Sequence, residues 1–222
     1  MRLDADAKQL NQCAVALSTD ERARAERFHA GRERRRFTVA RATLRTLIGE
    51  QTGLSPATVV FAQTQFGKPY LENPATSLYF NVSHSAERAI YAISRSCMPG
   101  VDIEHVDRTV DHDAIARRFF AHREYGELQR VAASDRKRAF LAYWTCKEAV
   151  AKAIGRGLQV PLNRIEVTFS ADGAPRILRV PCGQASDWSL YRVDAGHDYI
   201  ATVAAYRGPL DRISPASAYG SR

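Results

Sequence analysis

The sequence predicts an α+β fold made of two similar halves related by a pseudo-two-fold, each with helices packed on an antiparallel sheet. Three observations carry that prediction. Helix-periodic segments precede strand-like ones, the same order recurs in the second part of the chain, and no low-complexity linker separates the two. Residues 1–105 then form the N-terminal half, 106–207 the C-terminal half and 208–222 a loose tail, with the active site in the cleft between the halves. A chain of 222 residues with 45% hydrophobic content can bury the core this requires.

Taken in order, Ser18 and Glu21 have capping-box spacing and open a charged segment, ERARAERFHAGRERRRF, that reads as helical and solvent-facing. From about Glu33 to Gln51, Phe37, Ala40, Leu44, Leu47 and Ile48 keep helical spacing and give that helix a core face. Arg34, Arg41 and Arg45 form a second, cationic stripe, in which Arg41 borders the apolar face and can point into a cleft. Thr58 to Gln63 reads as a short strand, and Gly67 and Pro69 of FGKPYL fix a turn with Lys68 at its tip. Leu78 to Val82 is a strand running into Ser83, His84 and Ser85, a cluster able either to donate to an anion or to satisfy its own loop. Ala89 to Ser94 completes a hairpin with it.

Gly100 to Glu104 is a strand whose alternation sets Val101 and Ile103 against Asp102 and Glu104. Two carboxylates on one strand face suit either solvent or a cleft that holds a cation. Three helices follow, over Val110–Phe120, His122–Ala133 and Asp135–Ile154, the last ended by Gly155 or Gly157. Strand-like runs at Ile165–Phe169, Arg176–Val180, Ser189–Val193 and Tyr199–Ala205 are parted by turn signals.

Composition narrows the classes. The net charge of +8 favours anionic partners. Cys13, Cys97, Cys146 and Cys182 are scattered with no metal-ligand or secreted-framework spacing, which points to reduced thiols and a cytoplasmic protein. No run reads as membrane-spanning or as a signal peptide. An arginine-rich helix leaves a nucleic-acid-binding module as an alternative, but no reader motif or interleaved aromatic platform supports it. Gly155-Arg-Gly157 lacks the spacing of a phosphate-binding glycine loop.

The chemistry concentrates in WTCKEAVAKAIGRGL, residues 144–158, where Glu148 and Lys152 stand four apart on one helical face. Lys147 points about 100° away from its neighbour Glu148. GVD at 100–102, then 41 residues, then WTCKEAVAK at 144–152 resembles the signature of the 4'-phosphopantetheinyl transferases. FGKPYL, FNVSHS and GVDIE stand in the order of the surfactin-synthetase-activating (Sfp-like) branch. The similarity runs from about Glu33 to Leu158, and four motifs in order make it specific.

That resemblance implies magnesium-dependent transfer of the phosphopantetheine arm of coenzyme A to a serine of an apo carrier protein, with release of adenosine 3',5'-bisphosphate. It implies that Asp102, Glu104 and Glu148 hold Mg²⁺ and that Glu148 also helps deprotonate the serine. Lys152 then binds a phosphate oxygen or the leaving group, and Lys147 takes a weaker part in phosphate binding or site electrostatics. Lys68, Ser83 and His84 match coenzyme A contacts, and Arg41 matches the basic position near the 3'-phosphate, while Arg34, Arg35 and Arg36 do not align uniquely. The expected partner is an acidic carrier protein and the expected state a monomer. A metal-dependent phosphohydrolase of a nucleotide diphosphate would share the same carboxylates and lysines.

Overall fold

A computed structural model describes residues 1–72 and 77–210, so the expected loose tail lies, from residue 211 on, outside the described residues. In chain order the elements are α1 (Ala7–Ala16), α2 (Thr19–Glu26), α3 (Gly31–Thr52), β1 (Phe61–Gln63), β2 (Pro69–Leu71), β3 (Tyr79–Ser85), β4 (Arg88–Ser94) and β5 (Met98–His105). They continue as α4 (His112–Phe119), α5 (His122–Arg130), α6 (Ala133–Ile154), β6 (Glu166–Phe169), β7 (Pro175–Arg179), β8 (Trp188–Val193) and β9 (Tyr199–Tyr206). The class is α+β with antiparallel strand pairing, as expected. No helix among the described residues is long and apolar enough to cross a membrane. Compactness divides the chain into one unit of Met1–Ala62 with Ala86–Ala89 and the described part of Leu71–Thr76, and a second of Gln63–Tyr70, Ser77–Ser85 and Ile90 onward.

The first unit is helical. Asp6 and Gln9 close a capping box on α1, a signal present in the sequence but overlooked there. Ser18 and Glu21 close the expected box on α2. The long charged segment is not one helix, because the chain breaks after Glu26 and α3 starts at Gly31 with no side-chain cap. The arginine stripe also divides by burial. Arg45 is 2% exposed, sits 2.5 Å from Glu21 and donates to the carbonyls of Pro56 and Val59 at 2.7 and 2.9 Å. Arg41 pairs with the same Glu21 and lies over the Phe61 ring at 4.3 Å, while Arg34 is exposed. Burial alone would raise the Glu21 carboxyl, but the hydrogen bonds from Arg45 and Arg41 hold it below the usual range.

The second unit is organised by α6. In its sheet β9 lies between β5 and β8, and Asp102 stands opposite Thr202. Alternation puts Met98, Gly100, Asp102 and Glu104 on one face of β5, and this face meets α6. Contact is closest at Gly100, where a Cβ would fall 1.9 Å from the Ala149 carbonyl oxygen and 2.6 Å from the Ala153 nitrogen. Only hydrogen fits there. Ile103, on the other face, packs with Ala195, Tyr199 and Ala201, so β5 is covered on both sides and every residue from Met98 to Glu104 is buried. Of the two settings the sequence left open for the carboxylate face, solvent or a cleft, the structure shows the enclosed one.

The C-terminus of α6 has two stops. Gly155 takes the left-handed conformation at φ 77°, and Lys68 Nζ donates to the Ala153 carbonyl at 2.7 Å. Lys68 is thus buried instead of standing free at a turn tip, although the turn itself forms, with Thr64 N–H donating to the Lys68 carbonyl at 2.9 Å. Burial pushes the Lys68 ammonium down to about 7.

Two tests follow from these contacts. Gly100→Ala should destabilise the protein by about 3 kcal/mol or more, because backbone atoms and not a flexible side chain occupy the space; urea unfolding measures it. For Lys68, the unfolded chain binds a proton that the folded one releases between pH about 7 and 10.5, so stability rises with pH across that window. The rise should reach about 1.4 kcal/mol per pH unit, and Lys68→Met should flatten it in thermal melts recorded from pH 7 to 10.

Candidate functional site

The functional side chains come from two neighbouring strands and one helix, all within the second unit. On β3, Asn81, Ser83 and Ser85 project toward β5 by alternation. Asn81 Oδ1 accepts from Val101 N–H at 2.9 Å and Ser85 Oγ from His105 N–H at 3.0 Å, so side chains fasten β3 beside β5. Between them Ser83 Oγ donates to Asp102 Oδ1 at 3.0 Å. Lys152 of α6 closes a triangle, its Nζ lying 2.9 Å from Ser83 Oγ and 2.6 Å from Asp102 Oδ1.

Ser83, Asp102 and Lys152 line an open cavity of about 370 Å³ together with His84, Glu104, Arg108, Trp144 and Glu148. Trp144 forms part of its wall and is held by stacking on Phe140 at 5.9 Å and by the edge of Phe119 at 6.1 Å. Glu104 pairs with Arg108 and accepts from Ser85 Oγ at 3.4 Å. Glu148 has no hydrogen-bond or ion-pair partner among the described residues.

Electrostatics follow from this enclosure. Burial raises the Asp102 carboxyl, opposed by Lys152 and Ser83, and among the described residues its buried Oδ2 has nothing to accept from. Burial also raises Glu104, with Asp102 adding to the shift. Glu148 is raised by burial and then by both Asp102 and Glu104. His84 is lowered by burial and by Lys152, which favours its neutral form. Three carboxylates therefore face one small space against two cations, and the acid on α6, though Lys152 and Arg108 act on it at a distance, is the one with no direct ion pair among the described residues. They do not converge on one point: among the described residues, no three His, Cys, Asp or Glu side chains form a ready-made metal-binding group.

Of the residues singled out in the sequence, Asp102, Glu104, Glu148, Lys152, Ser83 and His84 are brought together. Lys68 and Lys147 are not. Lys147 is fully buried on the core side of α6, 2.6 Å from Glu124, with its Nζ also donating to the carbonyls of Leu162 at 3.0 Å and of Ile165. Glu124 in turn accepts from Ala121 N–H at 2.7 Å and Val167 N–H at 2.8 Å. Phosphate binding is thereby corrected to a structural role for Lys147, and Lys68 is likewise occupied as a helix cap. Arg41 belongs to the first unit, where Glu21 engages it. Arg108 was missed because it stands in the turn after β5, where residues four apart carry no helical signal.

The buried pair gives a prediction. Lys147→Met strands a buried carboxylate and should cost about 3–5 kcal/mol in urea unfolding. Adding Glu124→Gln should recover part of that loss, because an amide is cheaper to bury than an unpaired charge.

With this geometry in view, comparison with known proteins is direct. A sequence profile of the 4'-phosphopantetheinyl transferase superfamily matches residues 98–204, and one of the 4'-phosphopantetheinyl transferase N-terminal region matches residues 4–96. The chain is 36% identical over 204 residues to the 4'-phosphopantetheinyl transferase HetI of Nostoc sp., covering 91% of this chain and 84% of that protein. It is 32% identical over 193 residues to a 4'-phosphopantetheinyl transferase of Bacillus subtilis, covering 86% and 83% of the two chains. Among solved structures, a holo-(acyl-carrier-protein) synthase from Bacillus anthracis in complex with CoA (3',5'-ADP) aligns with a TM-score of 0.43 at 19% identity, covering 51% of this chain and 98% of that one. With relatives above 30% identity covered over more than four fifths of their length and both profiles matched in order, the chain belongs to the 4'-phosphopantetheinyl transferase superfamily.

Proposed function

We propose that this protein transfers the 4'-phosphopantetheine moiety of coenzyme A to a serine of an apo carrier protein, releasing adenosine 3',5'-bisphosphate. The observation that carries the proposal is the shared cavity in which Asp102 and Glu104 of β5 meet Glu148 and Lys152 of α6. In the reaction the serine oxygen attacks the phosphorus that bears the pantetheine arm. A new P–O bond forms, the bond to the bridging diphosphate oxygen breaks, and the leaving group departs as the bisphosphate. Glu148, without a hydrogen-bond or ion-pair partner among the described residues and with its carboxyl raised by burial, takes the serine proton directly or through water. Lys152 offers an ammonium to the phosphate oxygens, and Ser83 and His84 bind coenzyme A from β3. Arg41 meets the 3'-phosphate.

The carboxylates are not drawn together into a ready-made site among the described residues, but their donor chemistry fits a hard divalent cation. Three carboxylates, an orphaned buried oxygen on Asp102 and an excess of negative charge are what such an ion would satisfy. Asp102, Glu104 and Glu148 would hold Mg²⁺, which when bound supplies charge neutralisation at the diphosphate. The net charge of +8 suits an acidic carrier, with an association rate that falls as salt rises. Four free cysteines accord with a cytoplasmic setting, and we take the enzyme to act as a monomer.

Mass spectrometry of an apo carrier incubated with the protein, coenzyme A and Mg²⁺ should show a phosphopantetheine mass gain that needs all three. Coenzyme A cleavage without carrier modification would instead indicate a phosphohydrolase. Glu148→Gln should abolish transfer yet leave the melting temperature equal or higher. The sign follows from its raised carboxyl: the charged form opposes folding, so a neutral amide removes a repulsion. Arg41→Ala should raise KM for coenzyme A more than for dephospho-coenzyme A, and equal effects would remove Arg41 from the 3'-phosphate.

A further inference from the structure

Arg108 takes no part in that reaction, yet among the described residues it and Lys152 are the two cations lining the cavity. The two differ in how they are held. Lys152 is tied to both Ser83 and Asp102, and its side chain is 29% exposed. Among the described residues Arg108 has a single ion-pair partner, Glu104, and its side chain is 44% exposed. It stands beyond the end of β5, where its backbone N–H donates to the His105 carbonyl at 3.1 Å, so no helix or strand fixes its direction. Glu104, by contrast, is enclosed: its side chain is 11% exposed and it faces Asp102 and Glu148.

An ionised carboxylate enclosed beside two others is costly to leave without a positive charge. A guanidinium half in water loses little when it lets go, since solvent rehydrates it and a partly exposed pair contributes little on its own. Glu104 thus has a counter-ion that is strong enough to neutralise it and weakly enough held to be displaced.

We propose that Arg108 is an exchangeable counter-ion. It neutralises Glu104 while no divalent cation is present, and it is displaced from that carboxylate when the cation binds, which leaves its charge at the cavity rim facing the anionic substrate. The proposal rests on the reading of Glu104 as a cation ligand and deepens it: Arg108 and the divalent cation compete for one carboxylate, so each weakens the binding of the other.

The test is a calorimetric titration of the full chain with Mn²⁺ at low ionic strength, without coenzyme A or carrier, for the wild type, Arg108→Gln, Arg108→Lys and Glu104→Gln. Circular dichroism first confirms that each variant is folded. Competition predicts that Arg108→Gln binds Mn²⁺ about fivefold more tightly or better, that Arg108→Lys stays close to wild type because the charge is kept, and that Glu104→Gln loses affinity. Unchanged or weaker binding by Arg108→Gln, with Glu104→Gln impaired, overturns the counter-ion role and leaves the cation reading standing. Wild-type binding by Glu104→Gln overturns the cation reading itself, and the counter-ion with it.

Discussion

The second unit depends on the absence of one side chain. At Gly100 the backbone of β5 and the backbone of α6 approach until no Cβ fits, and Ala149 and Ala153 supply the small face that allows it. The approach is made on the face of β5 that also carries Asp102 and Glu104. Two carboxylates two and four residues from the contact are thereby delivered against the next positions of the helix, Glu148 and Lys152. Packing and chemistry share the same face, so the site is fixed by core contacts instead of by mobile loops.

The cavity is held at an electrostatic cost. Burial raises Asp102, Glu104 and Glu148 together, and the cations answer two of the three. A fold under selection for stability alone would place an apolar or amide group where Glu148 stands. Its carboxylate, unpaired among the described residues like the Oδ2 of Asp102, is the kind of local conflict expected where function has set the residue.

The sequence made much of this legible, for identifiable reasons. The helices and strands of the second part followed periodicity closely, and the motif residues Asp102, Glu104, Glu148 and Lys152 came together because strand and helix periods fix which side chains share a face. Three features were not legible. Lys68 and Lys147 are chemically indistinguishable in sequence from solvent-facing lysines, and only the tertiary fold shows that one caps α6 and the other neutralises Glu124 inside the core. The break after Glu26 falls in a run of charged residues with no Gly or Pro punctuation before Gly31, so local signals could not divide it. Arg108 reaches Glu104 through a turn whose geometry no spacing rule describes.

Lys147 carries a last consequence, one of angle. On a helix adjacent residues project about 100° apart, so a buried Lys147 held by Glu124 and two backbone carbonyls sets the rotation of α6 about its own axis. Once that rotation is set, Glu148 has no choice but to look into the cavity. The conspicuous Lys-Glu dipeptide is therefore a pin and a pointer: the first residue locks the phase of the shaft, and the second is aimed by it.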